Sequence, residues 1–456
     1  MDRCGVCAVM ALAVSASCQM AMGAGNGGES PLRLPDGEPL AGVYFFPHWW
    51  QPWKGDDQAI LRDMTRLRHM HVNTLLIDHE WSQALDRDWH WLDRSHRLAK
   101  QTGTKIVPWL SLKSWADVNW GRRLAAKRWY DEDIVYGLNQ DGGRAAPLIW
   151  HPSTISFGAK YATAYIDRYL ENGAILHLRW EGKDRPVVCL GVEAAWAGSF
   201  DEQSNLMFCQ WLRGRYKDIK ALNEAWGTVY GGFLHVDPRD AKIFDYAAHP
   251  KGKAKHPQAV EDHVAFRSKV VSDSLAAMAK RVRQKHPDVL FMAEIPYQYG
   301  STHPHAVGYR IGYAANPESC DHADIVLFRA TGPLNDQEIE TLRKHRARTG
   351  QKFVLAFRTY SHWGNPRSPA ELERFVAQRA EQAASLFNGL GFYSWNEMVD
   401  VHVAHSPQMA NASLGPEAKR SAFPPEKSER AIKVLQAITQ RYRQLVGART
   451  KPMKHP

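Results

Sequence analysis

Cysteine is scarce in this chain, six residues in 456, and three of them (Cys4, Cys7, Cys18) fall within the first eighteen positions. The others, Cys189, Cys209 and Cys320, stand alone with no metal-ligand spacing, which argues against a disulfide scaffold and a cysteine-bound zinc site. Cys189, inside an apolar run, reads as a small core residue. There is no GxGxxG or GxxxxGK[ST] after any strand-like run, no HExxH and no GxSxG, so dinucleotide, P-loop, zincin and serine-hydrolase chemistries have no motif to rest on. No apolar stretch after the first thirty residues approaches the length of a membrane span. Acidic residues are also in deficit, 48 against 58 Lys and Arg, for a net charge of +10. The basic residues are interleaved with acids in helix-like stretches such as "RDMTRLRHMH", which fits solvated helix faces and no nucleic-acid partner.

Tryptophan, by contrast, is abundant: seventeen, with sixteen Tyr and sixteen Phe. Flat rings beyond the needs of a core suit sugar binding, because the apolar faces of pyranoses stack on them. The first 24 residues pair Arg3 with a short apolar run and small residues at Gly23 and Ala24, the pattern of a secretory signal peptide. Processing at Cys18 as a lipoprotein is the alternative. The mature protein is thus expected to be exported, with residues 25–38 as a linker and 39–450 as one catalytic domain.

Eight short apolar runs of buried-strand type recur along that domain, at 41–50, 72–81, 105–112, 186–196, 289–297, 324–330, 352–360 and 389–397. Segments of helical period lie between them, several ending near glycine, at Gly103, Gly350 and Gly389. Eight strands alternating with helices predict a (β/α)8 barrel with long insertions after strands three and four. A doubly wound open sheet is the competing architecture.

In such a barrel the strand C-termini face the active-site mouth. The residues there are His48 and Trp49 after strand one, Asp78 and His79 with Glu80 on two, Trp109 on three, and Glu193 and Trp196 after four. Glu294 and Tyr297 follow on five, Arg329 on six, Arg358 and Tyr360 on seven, and Trp395, Asn396, Glu397 and Asp400 after eight. Carboxylates, arginines and aromatics on one rim fit glycoside hydrolysis, which needs one carboxyl to protonate the leaving oxygen and a second to attack or to activate water. Glu193 with Glu294, on adjacent strands, would stand roughly 5 Å apart and retain configuration, whereas Glu193 with Glu397, across the barrel, would invert. The consecutive Asp78, His79 and Glu80 cannot all face one ion, and "HPHAVGY" (His303 to Tyr309) offers only a loop pair, so no metal or cofactor is expected. A carbohydrate-binding barrel without hydrolysis, with Trp109, Trp196 and Trp395 as stacking rings, and a lyase-like enzyme acting on an acidic glycan are the other readings.

The stretch "FCQWLRGRYKDIKALNEAWGTVY" (Phe208 to Tyr230), following the strand-four Glu, resembles the β-galactosidases of glycoside hydrolase family 42, members of the clan A barrels. "ILRDMTRLRHMHVNTLLI" and "WLDRSHRLAKQTGTKIVPWL" are similar to their first two βα units. The resemblance implies a (β/α)8 glycosidase with a carbohydrate substrate, an acid/base Glu ending strand four and a nucleophile Glu ending strand seven. Glu193 matches the first, with Val192 where Asn is usual; strand seven, "FVLAFRTYSHWG", has no carboxylate. The last strand, "GFYSWNEMVD", is similar to the Asn-Glu-x-x-acid ending of families 99 and 71, which implies active-site roles for Glu397 and Asp400.

Overall fold

The computed structural model describes residues 30–47, 53, 55–80, 89–111, 128–129, 132–138, 142–192, 199–246, 248–249, 252–296, 320–330, 332–359, 361–399 and 425–448. Eight parallel strands form a closed ring: β1 (Ala41–Tyr44), β2 (Thr74–Glu80), β3 (Lys105–Ser111), β4 (Lys183–Val192), β5 (Leu290–Pro296), β6 (Ile325–Ala330), β7 (Lys352–Arg358) and β8 (Gly389–Tyr393). Each pairs with the next, and β8 closes on β1 through the register Leu390 to Ala41. All eight expected strands are present and the ring is closed, so the open-sheet alternative is excluded. The first strand is shorter than the apolar run that predicts it, ending at Tyr44 rather than near residue 50.

Helices pack around the ring: α1 (Asp57–His69), α2 (His90–Thr102), α3 (Pro152–Tyr169), α4 (Glu202–Arg215), α5 (Ile219–Trp226), α6 (Pro257–Lys285), α7 (Asp336–Thr349), α8 (Pro369–Leu386), the short α9 (Trp395–Met398) and α10 (Pro425–Ala448). Their ends follow local chemistry. Asn335 with Glu338 and Ser368 with Glu371 form capping boxes at the starts of α7 and α8, each satisfying otherwise orphaned backbone N–H groups. Gly103 and Gly350 end α2 and α7 in the left-handed conformation, with φ of 67° and 70°. Gly389 differs from expectation: α8 stops at Leu386, and Gly389 opens β8, where a Cβ would meet the Val354 side chain at 3.1 Å.

Strand alternation divides the core in two. One side chain in two points inward, so Leu76, Val107, Val187, Met292, Leu327 and Val354 fill the barrel, while their neighbours pack beneath the helices. The expected linker contains a packed piece: Leu32 and Leu34 are buried with the barrel interior, and Leu32 N–H donates to Asn388 O at 2.6 Å. The connection between β3 and β4 carries two antiparallel hairpin pairings, α3 and the strand His177–Trp180, which folds back on β4. No helix among the described residues is long and apolar enough to cross a membrane.

The insertion after β4 builds a third core from α4, α5 and the start of α6, around Phe208, Leu212, Trp226, Phe244 and Phe266. The family-like block is explained here as architecture. Asn223 accepts from Thr228 Oγ1 (2.9 Å) and the Tyr230 N–H (2.8 Å) and donates to Tyr230 O (2.9 Å), pinning the turn after α5. Trp226 Nε1 donates to Asp262 (2.8 Å), a buried carboxylate that also accepts from Tyr216 Oη (2.5 Å) and Gln258 Nε2 (2.9 Å) and faces Arg215 Nε at 3.1 Å. Asp262→Ala leaves the buried Trp226 N–H unmatched, while Arg215, Tyr216 and Gln258 can still reach water, and should cost on the order of 1–3 kcal/mol, measured by urea unfolding.

His96 makes a second fixed junction, between α2 and α3. Its Nδ1 accepts the Ala174 N–H (2.8 Å), Nε2 donates to Tyr165 Oη (2.6 Å), and the ring stacks on Tyr169 at 3.9 Å. Burial lowers the imidazole from 6.5 to about 3, because a proton on Nδ1 would lose its donor and its solvation together. The folded state thus holds His96 neutral while the unfolded chain protonates it. Stability is full above pH 6.5 and falls as pH drops toward 3. Thermal melts across that range should show the decline, and His96→Gln, less stable at neutral pH, should show a flatter profile.

Candidate active site

The third inward position of successive strands changes character. On β5, β6 and β7 the inward series run Leu290, Met292, Glu294; Ile325, Leu327, Arg329; and Val354, Ala356, Arg358. Two apolar layers therefore support one polar layer at the C-terminal mouth, as the strand-end reading predicts for Glu294, Arg329 and Arg358.

Glu294 has no exposed side-chain surface, and its Oε1 lies 3.1 Å from Nη1 of Arg329, whose side chain is 5% exposed. A carboxylate sealed from water needs such a countercharge. Arg329 Cζ also sits 4.5 Å from the Tyr393 ring centroid, with Arg358 Cζ 5.5 Å from the same ring. Tyr393 in turn meets Tyr44 edge-on at 4.8 Å, Tyr44 meets Trp109 edge-on at 5.3 Å, and Phe46 stacks on Trp109 at 5.8 Å. Burial, and next the charge of Glu294, push the Tyr44 hydroxyl well above its ordinary range, so it stays a neutral donor. The same two causes push the Cys189 thiol up, and this buried cysteine is inert core, as read from the sequence.

Tyr44, Phe46 and Tyr393 were not among the residues singled out from sequence. The signal was available: Tyr44 and Tyr393 end the period-two patterns of β1 and β8 and Phe46 extends the first by two residues, but the apolar run of β1 continues past Tyr44 and draws attention to His48 and Trp49 instead. Trp109 is where expected but 4% exposed, held between Phe46 and Tyr44, so it offers an edge rather than an open stacking face. Trp395 is fully buried in the layer beneath the helices; its Nε1 donates to Asp63 Oδ2 (3.1 Å), which also accepts from Trp53 Nε1 (2.6 Å). That fixes α9 and leaves no ring face for a sugar. Asn396 clamps the chain after β1, accepting the Phe46 N–H at 2.9 Å and donating to Phe46 O at 3.4 Å.

Asp78 stands opposite Trp109 in the β2–β3 register, and His79 opposite Leu110. Glu397 lies in α9. His48, Trp49, Glu193, Trp196, Tyr297, Tyr360 and Asp400 lie outside the described residues. The register between β3 and β4 shifts at the mouth, from Leu110 opposite Leu190 to Ser111 opposite Val192, an irregularity that ends one residue before Glu193 in the chain. No carboxylate occupies β7; it ends in Arg358, and Thr359 bonds across to Ser394 O at 2.8 Å. Among the described residues no group of three or more His, Cys, Asp or Glu is placed to hold a metal ion.

The structure is thus a closed (β/α)8 ring with a carboxylate, guanidinium groups and aromatic rings at its C-terminal mouth. Residues 156–310, about a third of the chain, match the model of glycoside hydrolase family 42, described as Beta-galactosidase. Among solved structures, the fold is similar to a β-galactosidase from Rahnella sp. R3 (TM-score 0.56, 13% identity, 92% of this chain and 58% of that one). It is also similar to a β-galactosidase from the haloarchaeon Halorubrum lacusprofundi (0.52, 16%, 87% and 57%). A third likeness is to the catalytic domain of a β-amylase from Paenibacillus polymyxa (0.52, 13%, 82% and 96%). The chain thus spans less than two thirds of either β-galactosidase and nearly all of the β-amylase domain. No curated protein sequence matches it.

The ion pair makes a measurable statement. Arg329→Met leaves a buried carboxylate without its countercharge and should cost about 3–5 kcal/mol, whereas Glu294→Gln combined with Arg329→Met should cost clearly less than the single change, in a double-mutant cycle read by chemical unfolding.

Proposed function

We propose that the protein is a glycoside hydrolase cleaving O-glycosidic bonds in an oligo- or polysaccharide, with Glu193 as general acid/base and Glu294 as the ionised partner. The observation that carries this reading is the overlap of the matched stretch with the mouth. Residues 156–310 run through β4, directly after which Glu193 follows in the chain, and through β5, which holds Glu294 beside Arg329. The acid protonates the departing glycosidic oxygen, the anionic partner attacks the anomeric carbon, and the first residue, now a base, delivers water to the glycosyl-enzyme. Arg329 supplies the countercharge that favours the anionic form of Glu294. In this reading β5 contributes the carboxylate that the clan pattern places on β7, where Arg358 stands instead. Glu397, with Asp400 three residues on, is the next candidate for the partner.

The carbohydrate-binding alternative draws on one observation, the absence of a carboxylate from β7. It gives glycan affinity without turnover. We also propose that residues 1–24 direct export, which the N-terminal sequence of the mature protein would check.

The test is a panel of 4-nitrophenyl glycosides, begun with the β-D-galactoside that the family description suggests. Glu193→Gln and Glu294→Gln should each lower kcat by about 10²–10⁴-fold with Glu397→Gln less affected, and NMR of the first-formed product should show retention. Full activity in Glu193→Gln sinks the assignment, and inversion transfers the partner role to Glu397.

A further inference from the structure

Some buried polar side chains in this protein have partners among the described residues and others do not. The indole N–H groups of Trp53, Trp226 and Trp395 each reach a carboxylate, and the Tyr165 and Tyr246 hydroxyls each meet a histidine. At the mouth, as at several helix-packing positions, donors stand unmatched. The Trp109 Nε1–H and the Tyr44 hydroxyl are buried, on side chains 4% and 0% exposed, with no partner that meets full hydrogen-bond geometry among the described residues, though the hydroxyl leans on the Glu294 carboxylate. Other such donors, as on Trp363 and Tyr230, stand in the helix-packing layers. Tyr44 and Trp109 instead share the barrel interior, touch edge-on at 5.3 Å, and lie beside Glu294, whose charge is felt at the Tyr44 hydroxyl. Leaving a donor unmatched in such a place costs roughly 1–3 kcal/mol, so a pair of them is a standing cost that a bound group would relieve.

We propose that Tyr44 and Trp109 are specificity-determining donors of the deepest sugar subsite, where they bind a free hydroxyl of a neutral sugar residue. A hydroxyl oxygen can accept from both donors and give its own proton to the Glu294 carboxylate, so it complements all three groups at once. A uronate or sulfate at that position would set a second anion against Glu294, and Arg329 is already engaged with that carboxylate. A trapped water has the same hydrogen-bonding chemistry as a sugar hydroxyl, and the experiment separates the two.

This rests on the glycosidase reading for its substrate, yet its failure is distinguishable. Tyr44→Phe and Trp109→Phe are made in the full chain. Three quantities are read: the thermal midpoint without ligand, kcat/KM on the fastest member of the 4-nitrophenyl panel and on its monodeoxy analogues, and calorimetric affinity for D-galactose, D-glucose and D-mannose. For sugar donors, Tyr44→Phe keeps or raises the midpoint and lowers kcat/KM about 10- to 100-fold. One deoxy analogue then loses as much against the wild type and little further against the variant, and Trp109→Phe behaves alike. A lowered midpoint with unchanged kcat/KM identifies a structural water and overturns the proposal, as does no change in either. If no glycoside is turned over, the glycosidase reading fails by itself. The calorimetric arm then decides: sugar affinity lost in Tyr44→Phe upholds the donors, and affinity that is retained, or absent from the wild type, overturns them.

Discussion

The ion pair between Glu294 and Arg329 organises the mouth of this barrel. Both groups are almost wholly withdrawn from water, so neither is tolerable without the other, and their separation of 3.1 Å sets where Arg329 can lie. From that position the guanidinium rests on Tyr393, Tyr393 meets Tyr44, and Tyr44 meets Trp109. A single charge contact on β5 and β6 thereby fixes aromatic side chains on β8, β1 and β3. The remaining constraint is space: Gly391, whose Cβ would stand 3.2 Å from that of Ala356, keeps the ring narrow beneath Tyr393.

Around this centre, buried polar contacts tie elements to one another. Asp63 gathers two indoles and ties α9 to α1, Asn396 ties α9 to the chain after β1, and Asp262 collects four side chains into the inserted helical unit. The segment Phe208 to Tyr230, whose sequence resembles family 42, is of this kind. Its Asn, Trp and Thr residues build a turn and a small core, and they place the long helix α6, which packs against α3 on the barrel's outside. The block that resembles family 42 is thus scaffold, while β7 ends in Arg358 with no carboxylate.

Much of the fold was legible because burial writes itself into local pattern. Parallel strands covered on both faces read as continuous apolar runs, and all eight are found. Where the reading slipped, a local cue had two meanings. Gly389 looked like a helix stop and is a close-packing residue of β8. Trp395, at a strand end, looked like a stacking platform and is a core residue bonded to Asp63.

The sequence alone determined the barrel, the layering of apolar beneath polar residues on β5 to β7, and the helix ends at Gly103 and Gly350, since these follow from periodicity and from backbone conformations that few residues accept. It could not decide which of several strand-end groups would meet. Glu294 and Arg329 are 35 positions apart, and Tyr44 and Glu294 are 250 apart. Only closure of the ring, which sets register and puts β1 across from β5, brings a carboxylate, its countercharge and two buried donors into one space.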